Sequence, residues 1–142
     1  MRFLTNPLPW LILLLSAVSC RAALKCGGKD VTAPVDRGAE IKLQEFVNDG
    51  HQPWRMDSES VAAEELIRLE YPDTRTSVTQ VKLKRVTGSR TRAVYAWRKA
   101  DGTRSYRIEV ERPSWLLPTA KRYEWMIWVP VRAVLTECVV TQ

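Results

Sequence analysis

The spacing of apolar residues along this chain changes near residue 77, from a helical period to a strand period. Between Asp36 and Asn48, the apolar positions Ile41, Leu43, Phe46 and Val47 predict a short amphipathic helix. Asp36 can cap its start, and Asn48-Asp49-Gly50 is a stop signal. His51-Gln52-Pro53-Trp54 follows as a loop fixed by proline. A second helix is predicted after Asp57 or Ser58, either of which can cap it. Its acids Glu59, Glu64 and Glu65 fall in the first two turns, where the helix dipole favours them. Ala62, Leu66 and Leu69 form its apolar stripe, widened by Ala63 and Ile67. Tyr71-Pro72-Asp73 ends it.

From Ser77 the pattern alternates. Val81-Lys82-Leu83-Lys84 predicts one strand, closed by a turn at Thr87-Gly88-Ser89. Arg92 to Lys99 and Arg104 to Arg112 predict two more, joined through Asp101-Gly102, a strong two-residue hairpin signal. With that loop, Trp97 falls opposite Tyr106, Tyr95 opposite Ile108, and Ala93 opposite Val110, while Arg92 meets Glu111 on the other face. A slip of one residue would break every one of these pairs. After a connection containing Pro113 and Pro118, Tyr123 to Val129 reads as a strand with both faces apolar. Pro130 marks a bulge or bend, and Val131 to Val140 reads as a last strand carrying Cys138.

Helices followed by consecutive strands predict an α+β fold: two N-terminal helices packed on a four- to five-stranded antiparallel meander sheet. The helix ending Phe46-Val47-Asn48-Asp49-Gly50 and the strand Trp125-Met126-Ile127-Trp128-Val129 give this layout a loose resemblance to the cystatin-like and NTF2-like group. That resemblance implies helices lying in the concavity of a curved sheet, and with it a pocket for a small molecule. The chain is short for a full NTF2-like cone. It also lacks the long leading helix and the Gln-Val-Val-x-Gly loop of cystatin inhibitors, so protease inhibition by that route is not implied.

The N-terminus is organised differently. Leu8 to Val18 is apolar after the single charge of Arg2, and its length of about eleven residues suits a signal-peptide core rather than a membrane span. Residues 1–20 are therefore expected to be a signal peptide, 21–35 a tether, and 36–142 one domain. Val18-Ser19-Cys20 resembles the bacterial lipobox, which implies a diacylated Cys20 and, with Arg21 next to it, placement in the outer membrane. Ordinary cleavage after Ala22 is the alternative. Either way two cysteines remain, Cys26 and Cys138, and export predicts a disulfide between them.

The chain carries 22 basic and 16 acidic residues, a net charge of +6. In an exported protein this favours anionic envelope or membrane components, or a protein partner, over nucleic acid. Little points to catalysis. His51 is the single histidine, with no nucleophile motif beside it, no Cys-x-x-Cys pair and no phosphate loop. No catalytic residue, metal or cofactor is expected. What remains is a basic hairpin tip at Arg98, Lys99 and Arg104, with Lys99 facing Arg104, and the aromatics Trp54 and Trp115 in loops and Trp128 on the outer sheet face. These six residues are the candidate binding positions of an exported, non-catalytic module. A small-molecule-binding or weakly catalytic NTF2-like pocket protein and a structural subunit of an envelope assembly are the alternative functions.

Overall fold

The computed structural model of the protein describes residues 23–141. The signal segment and Cys20 lie outside the described residues. Two helices, α1 (Arg37–Asn48) and α2 (Ser58–Glu70), precede four strands: β2 (Lys84–Gly88), β3 (Arg92–Arg98), β4 (Arg104–Glu111) and β5 (Val129–Thr141). Another strand, β1 (Ala23–Asp30), comes before both helices. The architecture is α+β, two helices on a five-stranded antiparallel sheet of order β1-β5-β4-β3-β2. Strands β2 to β5 form the meander, and the first strand pairs with the last.

Both helix caps form as the sequence predicts. Asp36 accepts a hydrogen bond from the Ala39 N–H at 3.0 Å, and Asp57 accepts one from the Ser60 N–H at 2.8 Å. Helix α2 lies directly on the sheet. Its Val61, Ala62 and Leu66 pack with Ala93, Tyr95, Tyr106, Ile108 and Val110 of the central strands. Helix α1 packs mainly on the 113–128 connection instead: Val47 joins Leu116, Met126, Ile127 and Val129 in a second cluster. Each fully buried side chain of this kind contributes about 1.5–3 kcal/mol, more than any exposed ion pair on the surface. Phe46, expected on the buried stripe of α1, is 46% exposed. The buried face of that helix is instead Gln44, Val47 and Asn48.

The β3–β4 register is the predicted one in every pair, from Arg92↔Glu111 to Trp97↔Tyr106. The loop is longer than the two residues Asp101-Gly102. Lys99 N–H bonds to Arg104 C=O, and Gly102 N–H bonds back to Lys99 C=O, both at 2.9 Å. Four residues, Ala100 to Thr103, therefore make the turn, and Gly102 takes the left-handed φ of +73° that closes it. The bulge expected at Pro130 is present. Glu109 pairs with Arg132 and Val110 with Pro130, leaving Val131 as the extra residue.

Three readings need correction. First, part of the 21–35 tether is the edge strand β1. Its described side chains, Leu24 to Asp30, are all exposed, so no apolar alternation announced it. Backbone pairing with β5 and the Cys26–Cys138 disulfide place it there. Second, β2 starts at Lys84 rather than Val81 and runs through the expected turn to Gly88, with a bulge at Val86. Third, Tyr123 to Val129 is not a strand. Residues Tyr123–Trp125 form one helical turn, and Met126 to Trp128 run extended outside any strand. This segment is apolar on both sides because it passes between two clusters: Met126 and Ile127 pack with α1, Trp128 with α2 and the sheet.

Candidate binding surface

The expected like-charge clash at the hairpin tip is resolved within the molecule. Lys99 Nζ lies 3.4 Å from Asp101 Oδ2. Arg104 lies 3.4 Å from Glu70 Oε2 through Nη1 and 3.2 Å from Glu137 Oε1 through Nε. Asp101 also accepts the Thr103 hydroxyl and N–H, at 2.6 and 2.9 Å. These bonds, the hydroxyl first, hold its carboxyl below the usual carboxylate range. Of the three basic residues predicted here, Arg98 alone has no carboxylate partner among the described residues.

Arg98 belongs to a different surface. Tyr95, Trp97, Tyr106 and Ile108 face α2, so their strand neighbours face outward. On that outer face Ala96, Ser105 and Thr136 form the floor of a depression of about 350 Å³, and Lys84, Arg98 and Arg107 rim it. All three cations are exposed, and none pairs with a carboxylate among the described residues. At the other end of the same face the charges are matched. Arg92 pairs with Glu109 and, at 3.5 Å, with Glu111. Nearer the middle, Arg132 Nε lies 4.0 Å from Asp30, which the register sets level with Lys84 and Arg107. The outer face is thus neutralised at one end and cationic at the hairpin end. Lys84 and Arg107 escaped the sequence reading. Alternation in β4 sets Arg107 on the face away from Tyr106, but Lys84 joins it only through the register of β2.

The predicted aromatics do not form an exposed set. Trp128 is 5% exposed, part of the core rather than the outer face. Its indole N–H donates to the Met56 carbonyl at 3.1 Å, and the Arg112 guanidinium lies 4.9 Å from its ring. Trp54 and Trp115 are half-buried, each packed against a core cluster with an arginine over the ring, Arg55 at 4.8 Å and Arg37 at 5.5 Å. An arginine at this distance covers part of each ring and is attracted to its face.

His51 stacks on Phe46 with ring centroids 4.1 Å apart. The described residues contain no cluster of His, Cys, Asp or Glu able to hold a metal ion, and no helix among them is long and apolar enough to cross a membrane. One acid stands in an unusual setting. Glu40 lines a cleft of about 260 Å³ with Arg55, Glu65 and Pro130, and its Oε2 has no hydrogen-bond partner. Burial pushes its carboxyl up, while Arg55, 3.8 Å away, pulls it partly back. Glu65 beside it is taken by Arg68, at 2.9 and 2.6 Å. The residues lining this cleft include no Ser, Thr, Cys, Lys or His.

Comparison of the chain with protein-family models, with curated proteins and with solved structures returned no match. The disulfide between adjacent antiparallel strands fits an oxidising compartment.

Proposed function

We propose that the chain is an exported, non-catalytic binding module, tethered to a membrane through Cys20, that takes an anionic partner on the outer face of its sheet. The observation that supports this reading most directly is the trio Lys84, Arg98 and Arg107 around a floor of small residues. At the other end of the same face Arg92 stands between two carboxylates, whereas these three cations sit together around one depression. Three unpaired cations in one depression leave a positive field that an anionic group would neutralise. Lys99 and Arg104 are secondary, since bound acids already offset them.

The test is retention on an anionic matrix of the heparin type. Replacing Lys84, Arg98 and Arg107 with serine should lower the salt needed for elution. A control that removes Lys42, Arg90 and Arg122 loses the same charge from elsewhere on the surface. Equal elution of the two variants would overturn the reading.

A second reading, small-molecule binding, draws on the groove of about 560 Å³ between α2 and residues 78–83. Ala63, Val78, Val81 and Leu83 give it apolar walls, and Asp57, Glu59 and Lys82 supply polar groups. Thermal-shift screening with small amphipathic compounds tests it. A hit abolished by Ala63→Trp would favour this groove over the outer face.

A further inference from the structure

The described chain begins at Ala23, opposite Thr141 of β5. The β3–β4 hairpin tip lies at the same end of the sheet. The Cys138 N–H donates to the Thr103 carbonyl at 2.8 Å, and Glu137 pairs with both Arg104 and Gly27. Strand β2, antiparallel to β3, starts at this end with Lys84. The start of the folded chain, the hairpin tip and the cationic half of the outer face therefore share one end of the molecule.

Cys20 precedes Ala23 by three residues. Three residues span at most about 10 Å when fully extended. An acylated Cys20 thus holds Ala23 within about 10 Å of the membrane interface, close to one Debye length at physiological salt. The register sets Arg98 level with Gly28, and Lys84 and Arg107 level with Asp30, about 17–23 Å further along β1. The trio therefore meets the head groups when the outer face lies against the surface. The side chains nearest the anchor have interfacial character. Leu24 is 63% and Val139 61% exposed, on opposite faces of the β1–β5 pair, and exposed Lys25 is the direct partner of Val139. Apolar side chains beside lysine suit the boundary between head groups and acyl chains.

We infer that the partner of the cationic face is the head-group layer of the membrane that holds Cys20, and that acidic lipids orient the domain with the cationic half of its outer face against the surface. The inference rests on the proposed tether and on the outer-face reading, and it names their shared ligand. The acyl chains hold the protein at the surface, and Lys84, Arg98 and Arg107 decide how it lies there. Anchoring raises the local concentration of head groups around these three residues far above that of any soluble polyanion. Arg92, at the far end of the same face, already has its two glutamates and gains less from an anionic surface than the unpaired trio.

Vesicle co-sedimentation of the mature chain from Arg21 onward, made without acylation, isolates the surface from the anchor. Residues 23–141 contain every described element of the fold, so this chain keeps the face intact. It should sediment with vesicles rich in phosphatidylglycerol and not with neutral phosphatidylcholine vesicles, and added salt should release it. The serine triple variant at Lys84, Arg98 and Arg107 should bind on the order of 100-fold more weakly, at about fivefold per lost charge. Retention on heparin without sedimentation on anionic vesicles would overturn the lipid assignment while leaving the outer-face reading standing. Binding to neither would overturn both. Mass spectrometry of the exported protein tests the tether separately, and a chain starting at Ala23 without acyl groups would overturn the orientation by anchoring.

Discussion

Gln44 and Ile127 are joined by a buried hydrogen bond of 2.9 Å, with the Ile127 N–H donating to Gln44 Oε1. The same side chain donates through Nε2 to the Trp125 carbonyl at 3.0 Å. One glutamine in α1 thus does for residues 125–127 what a neighbouring strand would do: it satisfies the backbone of an extended segment inside the protein. Nε2 also donates to Asn48, which in turn donates to the Thr119 carbonyl at 2.8 Å. Gln44→Leu keeps much of the volume and leaves two backbone groups without partners. Each buried orphan costs about 1–3 kcal/mol, so a loss of about 2–6 kcal/mol is expected. Urea unfolding measures it, and a loss under about 1 kcal/mol would mean that water replaces the side chain.

The disulfide closes almost the whole described chain, with a sequence separation of 112 between Cys26 and Cys138. In the chain-entropy model a loop of this size is worth about 4–5 kcal/mol. Its local effect is on β1, whose described side chains are all exposed. Without the bond, β1 is held on β5 by backbone pairing alone. Cys26→Ser with Cys138→Ser should therefore lower overall stability and should free β1 first. Hydrogen exchange would show amides of 24–30 losing protection ahead of β4. Unchanged protection there would place the anchoring of β1 in its backbone pairing. Non-reducing peptide mapping checks the bond itself.

The parts legible in the sequence were those with a local cause. The β3–β4 hairpin announced itself because alternation and turn chemistry agree over twenty consecutive residues. Asp36 and Asp57 announced the helices because a cap acts three residues away. Counting cysteines was enough to pair Cys26 with Cys138. Strand β1 was not legible, because Lys25, Gly27, Gly28 and Lys29 carry no pattern and their strand partner lies more than one hundred residues along. The 123–129 segment misled for the opposite reason: an apolar run between two clusters has the composition of a buried strand. The cationic face needed the registers of three strands before Lys84, Arg98 and Arg107 came together.

Near the hairpin tip, the Tyr106 hydroxyl donates to Glu70 Oε2 at 2.9 Å, and Arg104 meets the same oxygen. The Glu70 side chain is almost entirely buried, so this bond to a carboxylate is worth about 1.5–3 kcal/mol. Burial first, then the hydrogen bond and charge of Glu70, push the Tyr106 phenol up to about 12. Its ordinary value is 10.0, so between the two the folded chain keeps a proton that the unfolded chain releases. Stability should therefore fall as pH rises above 10 and through about 12. Tyr106→Phe should lose the bond at neutral pH and show a shallower alkaline decline. Ultraviolet titration should show a late phenol in the wild type that this variant lacks. Identical titration curves would remove Tyr106 from the argument.

Glu40 carries the acid counterpart of this effect. Burial raises its carboxyl above the ordinary 4.5, Arg55 opposes the rise, and Asp36 adds to it. A carboxyl with a higher pKa in the fold than in the unfolded chain holds its proton longer when folded. From 4.5 up to the raised value the fold binds more protons, so stability falls as pH climbs through that window and then levels off. Glu40→Gln cannot ionise, and its amide can donate where the carboxylate Oε2 now has no partner. The variant should lose this fall and be the more stable protein above the window. It also gives up the attraction to Arg55, but at 3.8 Å with an unpartnered Arg55 Nε that pair is poorly formed. Thermal unfolding of both proteins from about pH 4 to about pH 7 measures the difference. Tm curves that run parallel across that range would show that Glu40 ionises in the fold as freely as in the unfolded chain.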